Sequence, residues 1–323
     1  MDMTLYRKGF RQITPVASDI TVATAGVQSI YFLNKDYLTE AWKMDMTFTQ
    51  QFTGVAPTGF NVATAILNAQ LEFSGGRKGG NGVAINLSGT ELVNLMRFTE
   101  APQASVFSGG NITTTPAVLV TTVHLHTQFD AALNDLMSAR FTADYSQITL
   151  TINWGTSVFT GGTTPGALNI ANSIKALAYP RPDKMIAGAN GGSIGAAKQV
   201  FQSSLKTPSG AGSGDDMLLK TGSLVRFIGI TTDVGGVADD GVVGNIQLLF
   251  HGINYQASFL GLKLSNILHR SGWYQPGMAV IDFGDDPSGF LDLSGVNEAR
   301  MQWTALKAGN VRFSQVTMEQ MGN

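Results

Sequence analysis

A serine in a glycine-rich turn, a pair of histidines and three aspartate pairs are the residues whose types and spacing could do chemistry. Gly191-Gly192-Ser193-Ile194-Gly195 reads G-x-S-x-G. That pattern makes a nucleophile when a strand precedes the serine, a helix follows it, and an acid and a histidine come later. Ala196 to Gln202 could supply the helix, and Asp215 with His251 or His269 follow in order. Against this, residues 184–190 make a poor buried strand, and no β/α alternation surrounds them. The competing reading is a plain loop, because such a pattern arises easily among 38 glycines.

His124-Leu125-His126 lies in an apolar, β-branched run. Alternate strand residues share a face, so both imidazoles could hold one metal. Val123 and Leu125 already make the inward face, which leaves a polar strand face as the default. Asp215-Asp216, Asp239-Asp240 and Asp285-Asp286 lie in Gly-rich turns. They could offer carboxylates to calcium, but none has the spacing of a helix-loop-helix calcium loop. Turn-forming aspartate is the simpler reading. Structural calcium is therefore conceivable and unsupported, and no cofactor is expected. Residues 188–195 read G-A-N-G-G-S-I-G, which is neither of the two phosphate-cradling glycine patterns.

Composition narrows the classes further. Without cysteine, a disulfide framework, a thiolate zinc site and a cysteine nucleophile are impossible. Charged residues are 14% of the chain, against about 25% in an average soluble domain. At 43% hydrophobic and a net charge of -2, the chain is not of the disordered type. Nor does its balance suit specific or charge-driven nucleic-acid binding. A monomer needs a charged, solvated skin. The polar residues here are Gly, Ser, Thr, Asn and Gln, which suits a surface covered by neighbours. The N-terminus has no apolar run of signal-peptide length, so synthesis and retention in a cytoplasm are expected.

Strands must position whatever function there is. Trp42, Met44, Met46, Phe48 and Phe52 alternate with polar residues, as do Leu67, Ala69, Leu71 and Phe73. Ile148, Leu150 and Ile152 do the same, and so do Ile253, Tyr255, Ala257 and Phe259. A period of two marks a half-buried antiparallel strand. Further strands are expected at 27–33, 83–87, 118–127, 168–178, 217–231, 243–250, 278–283, 299–306 and 311–318. Two helices are expected. One follows the capping box Ser88-Gly89-Thr90-Glu91; the other spans 130–140. This length suits two all-β sandwiches or barrels rather than one. The Gly/Thr-rich stretch 155–166 reads as the linker between them. The expected division is an N-terminal arm at 1–18, a first half at 19–160 and a second at 161–323. Residues 139–143 (ARFTA) and 299–305 (ARMQWTA) weakly echo one another, as duplicated modules would.

A stretch near the C-terminus carries a family resemblance. Gly272-Trp273-Tyr274-Gln275-Pro276-Gly277 leads into Met278 to Phe283. Then come Pro287-Ser288-Gly289 and Phe290-Leu291-Asp292-Leu293-Ser294. This resembles the strand, Pro-Ser-Gly turn and n-x-S segment of double jelly-roll major capsid proteins of icosahedral, internal-membrane-containing bacteriophages. These are the tectivirus, corticovirus and finnlakevirus types, whose lineage includes adenovirus hexon. Asp285-Asp286 stand where the family has an aromatic, and Phe290-Leu291-Asp292 departs from its commoner Asn-Phe pair. The turn has its own logic: Pro287 fixes φ, Gly289 permits reversal, and Leu291 and Leu293 pack inward while Asp292 and Ser294 face out.

The resemblance implies an all-β chain of two eight-stranded antiparallel jelly-roll barrels side by side, with a few short helices. It implies a non-enzymatic structural protein of the virion that forms homotrimers. These would make pseudo-hexagonal capsomers tiling an icosahedral shell around a membrane and genome. Neighbouring capsomers and minor capsid or penton proteins would be its partners. Arg7, Lys8 and Arg11, interleaved with Tyr6 and Phe10, would form an arm facing the internal lipid membrane. Two other readings stay open. One is a phage fibre or carbohydrate-binding β-sandwich, and the other a cupin- or esterase-type enzyme using His124 and His126 or Ser193.

Overall fold

The computed structural model describes residues 12–22, 26–32, 37–54, 59–60, 65–76, 81–100, 108–109, 117–126, 140–141, 145–160, 163–180, 197–213, 216–269, 275–283 and 290–320. The chain divides into two compact units. One comprises residues 1–199 with 321–323, the other residues 200–320.

In the first unit the longer strands are β1 (Gln12–Val22), β2 (Gly26–Tyr31), β3 (Tyr37–Gln50), β4 (Ile66–Ser74), β5 (Gly82–Leu87), β6 (Ala117–His126), β7 (Gln147–Trp154) and β8 (Asn169–Pro180). They form two sheets, in the orders β1-β8-β3-β6 and β5-β4-β7-β2. Every ladder among these strands is antiparallel. The period-two runs dictate which face is buried. Trp42, Met44, Met46 and Phe48 of β3 are inside, as are Ala69, Leu71 and Phe73 of β4 and Ile148, Leu150, Ile152 and Trp154 of β7. Aromatic contacts join the sheets across this core. Trp42 lies 5.8 Å from Phe73, and Phe48 lies 6.0 Å from Trp154, centroid to centroid. Truncating such a buried ring to alanine typically costs about 3–5 kcal/mol.

The capping box forms as its residues require. The Ser88 backbone N–H donates to Glu91 Oε2 at 2.9 Å, and the Glu91 N–H returns to Ser88 Oγ at 3.4 Å. It starts α1 (Gly89–Glu100), whose Leu92 and Phe98 are buried. The second expected helix, 130–140, falls outside the described residues except for Arg140. That residue sits in a short strand with Phe141, paired to β3.

The second unit contains β9 (Ala197–Lys206), β10 (Leu224–Val234), β11 (Val243–Phe250), β12 (Ile253–Ser258), α2 (Phe259–His269), β13 (Met278–Asp282), β14 (Ala299–Ala305) and β15 (Asn310–Gln320). One sheet runs β13-β10-β15-β9, and the short strand Leu291–Asp292 also pairs with β10. The other runs β14-β11-β12, with Gly212–Ser213 and Met217–Leu218 on the far side of β14. One core fills the space between them. Ile228, Ile230, Val311 and Phe313 come from the first sheet, and Ile246, Leu248, Met301 and Trp303 from the second.

Two sequence expectations differ from the structure. Residues 155–166 are not a free connection. Phe159–Thr160 pairs with Gly59–Phe60, and Thr163–Pro165 pairs with Phe52–Gly54. β8, which follows them, pairs with β1 and β3. Gln50, only 1% exposed, holds the segment in place. Its amide donates to the carbonyls of Thr156 and Gly166, both at 2.8 Å, and its Oε1 accepts the Val158 N–H at 2.9 Å. The other difference is α2. The expected strand through Phe259 stops at Ser258, whose Oγ caps the helix by accepting the Gly261 N–H at 3.0 Å.

Candidate functional site

The candidate chemical residues do not assemble into a reaction centre among the described residues. Ser193 and Asp215 lie outside them. His251 is exposed, in a left-handed turn (φ 46°), with Nε2 3.3 Å from the Gly295 carbonyl. His269 is exposed at the end of α2. His124 and His126 stand opposite Lys43 and Ala41 in the β3–β6 ladder. Among the described residues, no cluster of three or more His, Asp or Glu could hold a metal. Arg7, Lys8, Arg11 and the turn residues Pro287, Ser288 and Gly289 also lie outside the described residues.

The Asp239-Asp240 pair is committed to the fold. Asp239 Oδ2 takes the Lys307 ammonium at 2.6 Å, and its Oδ1 takes the Gly241 N–H at 2.8 Å. The hydrogen bond from Lys307, then that from Gly241, hold the Asp239 carboxyl below its ordinary value. Asp240 Oδ1 receives both the buried Lys263 ammonium and the Gly277 N–H, each at 2.6 Å. Gly277 has φ +65°, and a Cβ there would sit 2.3 Å from the Thr232 carbonyl, so only glycine fits.

What the resemblance segment does can be seen in its second half. Leu291 is partly buried and Leu293 fully buried, while Asp292 and Ser294 are exposed. The Asp292 carboxylate accepts the Ser294 N–H at 2.8 Å, and hydrogen bonds from Ser294 lower its pKa. The Leu293 backbone is locked on both sides. Its N–H donates to the Ser223 carbonyl at 3.1 Å, and its own carbonyl accepts the Gly222 N–H at 2.9 Å.

The remaining candidate for function is the surface. Outward positions of the β2-β7-β4 face carry Ser29, Gln147, Thr149, Thr151, Asn153 and Asn68, with few charges. Among them Val27, Tyr31 and Leu67 are 70%, 64% and 52% exposed. Helix α2 is reversed in character. It buries Lys263 and Asn266 and exposes Leu260, Leu264 and Leu268 on one side, with no charge between them. Sequence reasoning missed this stripe, because Ile253 to Phe259 continued a strand period into the helix.

No protein-family model matches the sequence, and no curated protein is similar enough in sequence to match it. Solved structures do match in shape. The crystal structure of the STIV major capsid protein has a TM-score of 0.71 at 16% identity, covering 96% of this chain and 97% of that one. The major capsid protein P2 of bacteriophage PM2 has a TM-score of 0.59 at 13% identity, covering 97% and 98%. The Faustovirus major capsid protein gives 0.55 at 9% identity, covering 96% and 92%. The fold is the double jelly roll. The likeness spans nearly all of this chain and nearly all of each of these neighbours. Each of the two units contributes strands to two sheets.

Proposed function

We propose that this protein is the major capsid protein of an icosahedral virus, a structural element without chemistry of its own. The observation that carries this reading is a double jelly roll matched over 96–97% of the chain by viral major capsid proteins. The surface supports it. Sheet faces rich in Thr, Asn and Gln, with exposed Val27, Tyr31 and Leu67, and the leucine stripe of α2 suit association with neighbours better than a life in water. In this reading three chains, each with two rolls, form a pseudo-hexagonal capsomer. Capsomers, together with minor capsid or penton proteins, tile the shell of the virion by many weak contacts acting together. Arg7, Lys8 and Arg11 reach the internal membrane, where each cation near an anionic surface is worth about 1 kcal/mol.

Native mass spectrometry of the purified chain tests the assembly step. A species of three 34.3-kDa chains is expected, and a monomer at every concentration contradicts the reading. Removing residues 1–11 should leave that trimer intact and reduce its binding to anionic vesicles. Unchanged vesicle binding would take the membrane role away from the arm.

A further inference from the structure

The second roll carries an open cleft of about 560 Å³ on the outward face of its β14-β11-β12 sheet. Volumes of roughly 300–1,000 Å³ are usual for small-ligand sites. Strand register builds it. Gln247 of β11 pairs with Gln256 of β12 on one side and Gln302 of β14 on the other, making a row of three carboxamides. Two residues along the same face, Asn245 pairs with Ser258, and Thr304 Oγ1 accepts the Asn245 N–H at 2.9 Å. Asp216 closes one end.

The charges there are spoken for. Asp216 Oδ2 takes Arg300 at 3.3 Å and the Gln302 amide at 3.2 Å. By contrast, the side-chain amides of Asn245, Gln247 and Gln256 engage no other described residue. Three carboxamides thus face one open space, each with donors and an acceptor to spare. Such a surface selects a neutral ligand whose groups both donate and accept. Hydroxyls do this and carboxylates or ammonium groups do not. The cleft lies on a sheet face, so it offers no unpaired strand edge to a peptide backbone. Trp303 turns its ring into the core, 5.6 Å from Phe313, so no ring stacks on the ligand.

We propose that this cleft binds neutral oligosaccharide, with Gln247, Gln256 and Asn245 as the recognising side chains. Binding at one cleft is weak, because it rests on hydrogen bonds exchanged with water. Many copies on one surface would raise it by avidity. The proposal does not depend on the capsid reading.

The test uses the full chain on a surface of immobilised glucan, galactan and N-acetylglucosamine oligomers, with sialylated and sulfated glycans as charged controls. Retention on at least one neutral glycan is expected. It should fall roughly tenfold or more in the Gln247→Ala/Gln256→Ala double variant, which removes two hydrogen-bonding groups. It should persist in Gln202→Ala, an exposed amide of β9. Binding to no neutral glycan, binding to charged glycans only, or equal loss in the Gln202 variant would overturn the proposal. So would a change in oligomeric mass of the double variant, which would make this face a seam between copies.

Discussion

The Asn266 carboxamide of α2 closes a two-bond ring with the backbone of Val280. Its Nδ2 donates to the Val280 carbonyl at 2.9 Å, and its Oδ1 accepts the Val280 N–H at 2.8 Å. The side chain thereby acts as one more strand beside β13, whose other edge pairs with β10. Asn266 is 5% exposed, so water does not replace it. Asn266→Leu should destabilise the second roll by roughly 2–4 kcal/mol, since two buried backbone groups lose their partners. Urea unfolding tracked by amide exchange of β13 and β10 checks this. A loss under 0.5 kcal/mol, about the scatter of a surface change, would mean the ring is dispensable.

One turn earlier, Lys263 and Asp240 form a pair whose ammonium is almost fully buried. The Lys263 ammonium also donates to the Gln275 carbonyl at 2.9 Å, and Asp240 holds the Gly277 N–H. Lys263→Met leaves the carboxylate facing an apolar chain. Removing one partner of such a pair costs roughly 3–5 kcal/mol. The Lys263→Met/Asp240→Leu double variant should be less destabilised than the two single changes added together. Strict additivity in a double-mutant cycle would show that the two charges do not interact.

Gln50 should govern the segment that follows β7. Gln50→Leu deletes three hydrogen bonds at a fully buried position. The expected outcome is a loss of roughly 2–4 kcal/mol and faster amide exchange at Val158, Thr163 and Thr164, with β7 protected as before. Exchange rising equally across β7 would mean global weakening in place of local release.

Acid sensitivity follows from Asp239 and Asp292. Both carboxyls titrate below the ordinary value of 3.8, Asp239 through Lys307 and Gly241, Asp292 through Ser294. A lowered folded pKa means that the stabilisation is present above the unfolded value and is lost as pH falls through the folded one. Stability should therefore decline below about pH 4, and Asp239→Asn with Asp292→Asn should flatten that limb. An unaltered acid limb in the double variant would show that other carboxylates carry it.

Much of this was legible in the residues, and the rest was not for physical reasons. The strands 42–48, 69–73 and 148–152 keep one face apolar, so their period announced both element and orientation. Leu67, expected on the inward face with Ala69, instead turns outward, and Ile66 is buried in its place, at a register shift in the pairing with β7. The capping box at Ser88 was equally direct. Leu293 and Asp292 took the inward and outward places their types suggest. Helix α2 was hidden because its faces are mixed: it buries Lys263 and Asn266 beside Phe259 and Leu262 and exposes three leucines. Its cap is a lone Ser258 with glycine at 261, which lacks the glutamate of a capping box. The segment 155–166 looked like a linker because its anchor, Gln50, lies more than a hundred residues upstream. Likewise the glutamine row depends on register between three strands, which no local pattern reveals.

Electron cryo-microscopy of particles formed by the full chain decides whether the protein builds a shell. Pseudo-hexagonal capsomers, each with six jelly rolls from three chains, are the expected result. Monodisperse single chains, or an assembly whose contacts leave both the β2-β7-β4 face and the α2 leucines in solvent, would contradict it.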